Sequence, residues 1–252
     1  MRKGTLKSLG LFAAFILVWT PYRYMTGMLG WGVLTSQPLP LLVESLAKLT
    51  VSFGLVYLFL RRFGDSWEDV GVSRRGMVES IALALPGSLA LLSTYLAMGG
   101  APNPDPLGTL HLFLVVGPAE ELVDRGYYFS MIAADYRGRW RFWFAASISS
   151  LLFALSHLPI DLLVLRYGST EVVMHLLAVF MAGMVLAAYY YFGWNIVGPS
   201  IVHAVMDVCG AYISFENDAS QFMATGIGMT VVVLIPAIWW LLRVRLLRAR
   251  SR

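Results

Sequence analysis

Glu120 and Glu121 stand side by side in GPAEELVDRGYYF (117–129), followed at once by Asp124 and Arg125. Glu121 and Arg125 are four residues apart, so on a helix they can pair, and the pairing makes their joint burial tolerable. Glu120 then points about 100° away around the helix and is expected to be free for chemistry. Asp124, four residues on, adds a like charge beside it; a carboxylate in such surroundings suits a general base. Pro118 reads as a helix start, which would set both glutamates in a first turn with its unsatisfied backbone donors. Farther along, His157 closes the stretch FALSH, and His203 and Asp207 in HAVMD are again four apart. They share a face, so the aspartate can orient or charge the imidazole. Carboxylates and imidazoles of this kind carry general acid and base chemistry.

These groups lie in a strongly apolar chain. Of 252 residues, 58% are hydrophobic and only 13% charged, against roughly a quarter charged in a soluble domain, and the mean hydropathy is +0.68. Apolar runs of about 20 residues, enough to cross a bilayer, recur throughout. The sequence predicts an all-α polytopic membrane protein, one domain over 1–252, with about eight transmembrane helices near 6–29, 39–61, 77–98, 107–134, 142–160, 171–191, 196–215 and 222–242. Pro21, Pro38, Pro86, Pro118 and Pro199 are expected at bends or starts. The basic, apolar N-terminus lacks a small-residue cleavage site before Pro21 and reads as a retained first span.

Positive charge supports this division. Arg2, Lys3, Lys7, Arg61, Arg62, Arg74, Arg75, Arg137, Arg139, Arg141, Arg243, Arg245, Arg248, Arg250 and Arg252 all fall on one side, whereas the opposite loops, 30–38, 99–106, 161–170 and 216–221, contain only Arg166. Both termini are therefore expected to be cytoplasmic, in what the compact chain suggests is a prokaryotic cell membrane. The pI of 9.3 calls for no nucleic acid, since the tail RVRLLRARSR suits anionic headgroups of the lipid bilayer. Arg23 and Lys48 read as snorkelling near span ends. His111 and His175 read as ordinary bundle histidines, with Glu171 the carboxylate at helical spacing from His175. Cys209, the single cysteine, reads as a packing residue, and the Trp and Tyr residues, YYYF at 189–192 included, as interface belt and packing.

Ionisable groups at membrane depth usually mark function, and here their pattern resembles a known family. EELVDR (120–125) has the form E-E-x-x-x-R, FALSH (153–157) has F-x-x-x-H, and HAVMD (203–207) has H-x-x-x-(N/D). In this order the three resemble the motifs of the CPBP family, which comprises the type II CAAX prenyl endopeptidases and bacteriocin-processing or immunity-associated membrane proteases. The resemblance covers a core of about 117–210. It implies an intramembrane endopeptidase acting on a membrane-associated peptide or protein, such as a prenylated C-terminus or a leader. It also implies roles: Glu120 as the base that activates water, His157 aiding it, His203 and Asp207 binding the oxyanion, and Glu121 with Arg125 in support.

An ionised Asp207 would repel an oxyanion, so either Asp207 carries its proton or it orients His203. Glu120, His157, His203 and Asp207 could also ligate zinc or another divalent metal; with no H-E-x-x-H helix present, a metal-free mechanism is favoured. Depth poses a difficulty. At about 1.5 Å per residue, His157 lies toward the far end of span five and His203 some 10 Å in from the opposite end of span seven, so straight helices would hold them apart unless spans start at Pro118 and Pro199 and tilt. Two alternatives stay open at this point: a proton-coupled transporter, and a catalytically inactive scaffold or immunity protein.

Overall fold

A computed structural model describes residues 2–29, 37–103 and 105–250. Of the expected features, positions 30–36 of the first loop and Arg252 lie outside the described residues, as do the side chains at 243–250. Among the described residues, besides a 3-10 turn at Gly138–Trp140, eight helices follow one another: α1 (Lys3–Met28), α2 (Pro38–Phe63), α3 (Met77–Ala97), α4 (106–135), α5 (Arg141–Leu163), α6 (Ser169–Gly193), α7 (Val197–Tyr212) and α8 (Asp218–Arg250). Seven match the hydropathy-based spans to within four residues at each end, and α8 runs eight residues farther.

Six of the eight are long and apolar enough to cross a membrane, and large side chains such as Leu17, Leu58, Leu89 and Phe222 face outward from them. The other two are α4, which carries the charged stretch, and α7, whose 16 residues span only about 24 Å. A two-residue antiparallel ribbon, β1 (Ala101–Pro102) with β2 (Ile213–Ser214), ties the approach to α4 to the end of α7. It is too short to leave an alternating pattern in the sequence.

The prolines behave unequally. Pro38 opens α2 and Pro199 lies in the first turn of α7, as expected of a residue without an N–H, while Pro21 and Pro86 are inside α1 and α3. Pro118 is not a helix start. Helix α4 passes through it without a break, because the preceding turn, Leu112–Val116, is π-helical and the Gly117 N–H reaches back to Leu112 O. A second π segment runs from Leu122 to Phe129. The two glutamates therefore lie inside a helix and not beside free N-terminal donors. Such wide turns often accompany functional sites.

Two buried apolar clusters hold the bundle. One joins α1, α2, α4 and α5 through Leu11, Val56, Leu122, Phe129 and Leu152. The other joins α3, α6, α7 and α8 through Leu83, Leu186, Val202 and Val232, and Cys209 packs in it. Tyr189 and Tyr190 are fully buried: the Tyr189 hydroxyl donates to Val232 O at 3.0 Å and Tyr190 shares a 2.7 Å bond with Ser130. Half of the YYYF stretch is thus interior glue between helices.

On the basic side, Lys7 pairs with Asp65 at 2.6 Å, and a cavity of about 1020 Å³ is lined by Lys3, Lys7, Asp65, Asp135 and Arg141 among others. There Asp135, at the end of α4, accepts from the free N–H groups of Gly4 (3.0 Å) and Thr5 (2.7 Å) and from the Thr5 hydroxyl, capping α1 from another helix. Burial raises its carboxyl, but the hydrogen bonds from Gly4 and Thr5, with Arg2 nearby, outweigh that and hold it below the ordinary aspartate range. A carboxyl depressed in the folded state stabilises the fold above its unfolded value and loses that contribution as pH falls through its folded value. We expect Asp135→Asn to cost on the order of 1 kcal/mol near neutrality, about 2–4 °C in Tm. The gap from wild type should close as the pH is lowered below about 4; thermal unfolding in detergent across that range checks it.

Candidate active site

The second cavity, about 710 Å³, collects the motif residues. Glu120 and Asp124 of α4, His157 of α5, and His203 and Asp207 of α7 all line it, together with Lys48 of α2. Exposure separates two layers. The side chains of Glu120 and Asp207 are 17% and 34% accessible, whereas Glu121 and Arg125 are sealed at 0% and 1%. Only the first pair can meet water or a substrate.

Behind the cavity, Arg125 Nη1 and His203 Nδ1 both donate to Glu121 Oε1 at 2.7 Å. The expected Glu121–Arg125 pair is therefore present, and it has a further duty: Glu121 fixes the imidazole of His203 across helices. Orienting His203 was one of the two roles open to Asp207, but its Oδ2 lies 3.6 Å from His203 Nε2, beyond a hydrogen bond. Glu120 Oε2 is likewise 3.6 Å from Nε2. With Nδ1 engaged, Nε2 points between two carboxylates.

His157 Nδ1 lies 2.9 Å from Phe153 O. A carbonyl only accepts, so Nδ1 donates and Nε2 is left as the acceptor in a neutral ring. Phe153, the aromatic of FALSH, is the common wall. Its ring lies 4.4 Å under the Arg125 guanidinium, and the rings of His157 and His203 approach it at 4.9 and 5.8 Å.

The depth difficulty dissolves at the turn before α7. Asn195 is 1% exposed, its side chain bonds Ser73 O, Arg75 O and the Val197 N–H, and the Ile196 N–H bonds Gly71 O. The turn is sunk beneath the 64–76 loop, so His203 starts deeper than a count from the surface suggests. Close approach of α4 to α7 depends on Gly117, where a Cβ would stand 2.7 Å from Ser200 O.

Two expectations are corrected. Glu120 is not free: Lys48 Nζ forms an ion pair with its Oε1. Nor do Lys48 and Arg23 snorkel, because both are buried, Lys48 on Glu120 and Arg23 on Glu44 at 2.6 Å. The overlooked signal was position, since Lys48 stands well inside α2, too far from either end to reach headgroups. His175 is also more than an isolated bundle residue. Its Nδ1 binds buried Asp161 at 2.9 Å and its ring lies 5.8 Å from that of His157, while Glu171 instead caps the Gly168 N–H. His111 bonds Ser45.

Among the described residues no three of His, Cys, Asp and Glu are grouped so as to hold an ion, and the Lys48 ammonium already holds one oxygen of Glu120.

No curated protein matches the chain. Residues 102–209 match the Rce1-like family, described as type II CAAX prenyl endopeptidase Rce1-like. The matched segment contains every motif residue from Glu120 to Asp207 and leaves α1, α2 and α3 outside. On the segment that builds the cavity, the chain is thus similar to the type II CAAX prenyl endopeptidases, and the similarity supports a membrane-embedded protease of that kind.

Proposed function

We propose that the chain hydrolyses a peptide bond in a membrane-associated peptide by means of a water activated at Glu120, without a metal. The observation that carries this reading is the convergence of Glu120, His157, His203 and Asp207, from three helices, on one cavity. Water gives its proton to Glu120 Oε2 as its oxygen attacks the scissile carbonyl carbon. His157, with Nε2 as acceptor, helps to hold that water. The carbonyl π electrons move onto oxygen, and His203, acting as the imidazolium with its Nδ1–H held by Glu121, donates its Nε2–H to the resulting oxyanion. The C–N bond then breaks, and the leaving nitrogen takes the proton from Glu120. Each role is one that the family resemblance suggests; the hydrogen-bond directions at His157 and His203 support it.

Asp207 faces the same oxyanion. An ionised carboxylate there would oppose the charge that develops, and the role of holding His203 is already taken by Glu121, so we assign Asp207 as a protonated second donor. The natural substrate class is a peptide presented at the membrane, of which a prenylated C-terminus is the leading example and a leader peptide the next.

The purified protein, assayed in detergent on a farnesylated C-terminal peptide, a leader peptide and a transmembrane peptide, should cleave at least one. Glu120→Gln and His203→Ala should each lower kcat by at least about 10²-fold, with Tm retained and with no loss of wild-type activity on adding a chelator. Cleavage that survives Glu120→Gln contradicts the assignment, and chelator loss reversed by zinc contradicts the metal-free mechanism. Asp207→Asn, which can donate but not ionise, should stay within about tenfold of wild type while Asp207→Ala falls about 10²-fold. Equal losses in the two variants would remove Asp207 from the oxyanion site.

A further inference from the structure

Lys48 comes from a helix outside the family-matched segment 102–209, yet it touches the one carboxylate to which the mechanism assigns proton transfer. Its ammonium is on Oε1, while Oε2 of the same carboxylate faces His203 Nε2 across 3.6 Å. That gap is too wide for a direct bond. One oxygen is thus clamped and the other left toward the histidine.

The neighbours of Lys48 keep it on that task. Glu44, four residues earlier and on the same face of α2, is the obvious competing partner, but Arg23 of α1 holds it at 2.6 Å. Trp19 underlies both cations, with Lys48 Nζ 5.7 Å and Arg23 Cζ 5.8 Å from its ring. Two ion pairs, Arg23–Glu44 and Lys48–Glu120, therefore stand beside Trp19. With only 9% of its side chain accessible, Lys48 has little water to turn to.

We propose that Lys48 is a positioning residue for Glu120: its ammonium fixes Oε1 and supplies the countercharge, so that Oε2 is the oxygen that meets the attacking water. This rests on the reading of Glu120 as the base. The carboxylate rotor would otherwise be free to turn either oxygen toward Lys48, His203 or the cavity, and small misplacements of a reacting group are costly in rate. Helices α1 and α2 then do more than enclose the core; they complete the site.

The test uses the full-length protein and whichever of the three peptides above the wild type cleaves fastest. Lys48→Met should lower kcat by about 10²-fold with little change in KM. Lys48→Cys, made with Cys209→Ala, should be as slow, and alkylation with 2-bromoethylamine, which restores an ammonium at nearly the original reach, should recover at least tenfold. The neutral adduct from iodoacetamide should recover nothing. If Lys48→Met fails to fold, the comparison of the two adducts on Lys48→Cys decides alone. Wild-type kcat in Lys48→Met, or equal recovery by the neutral adduct, overturns the role of Lys48. Wild-type kcat in Glu120→Gln would instead overturn the reading of Glu120 on which it stands.

Discussion

A charge inside an apolar bundle persists only with an opposite charge or a hydrogen-bond partner beside it, because hydrocarbon returns none of the hydration it loses. The interior of this protein is arranged around that constraint. Arg23 meets Glu44, Lys48 meets Glu120, Arg125 meets Glu121, and Asp161 meets His175. Removing one member of such a pair strands the other, at about 3–5 kcal/mol. The pairs therefore fix which helices must be neighbours: α1 with α2, α2 with α4, α5 with α6, and α4 with α7 through Glu121 and His203.

The same constraint divides labour between adjacent glutamates. Glu121 is held through Oε1 by Arg125 and His203 and sealed from solvent; it can only support. Glu120 is anchored through one oxygen and open through the other, and it lines the cavity. Helix α4 presents both because it is not a regular α-helix. Its π turns carry the backbone past Pro118 and swing residues 122–129 inward, where every one of them is buried. A regular helix at this point would lose a hydrogen bond and meet the proline ring at the preceding turn; the π turn removes that conflict. Its neighbour α7 is short and begins at a buried turn. The two helices least fit to cross a bilayer unaided are the two that hold most of the candidate chemistry, and the six apolar ones surround them.

Much of this was legible in the sequence, and the reason is locality. Span positions follow from runs of apolar residues, and the Glu121–Arg125 pair from a spacing of four on one helix. The three motifs mark the elements that meet, since each holds its residues within a few positions. What was not legible depends on residues far apart in the chain. Lys48 and Glu120 are 72 positions apart, and Glu121 and His203 are 82 apart; no helical spacing connects them. Local reasoning accordingly left Glu120 free and offered only Asp207, its neighbour by spacing, as a partner to orient His203. Pro118 misled for a related reason: a proline signals a start in a regular helix, and a π turn before it cancels the signal. Lys48 was the readable exception, because a lysine so far inside an apolar span requires a partner from the opposite charge class.

The account stands or falls on water, activated at Glu120, being what attacks the peptide carbonyl; a carboxylate could instead attack directly and form an anhydride that water later opens. A single turnover with enzyme in excess, run in water carrying a heavy oxygen isotope and followed by mass spectrometry of both product and the enzyme peptide containing Glu120, detects an anhydride that water opens at the Glu120 carbon. The account predicts one heavy oxygen in the new carboxylate of the product and none in Glu120. Heavy oxygen in the Glu120 carboxylate would contradict it.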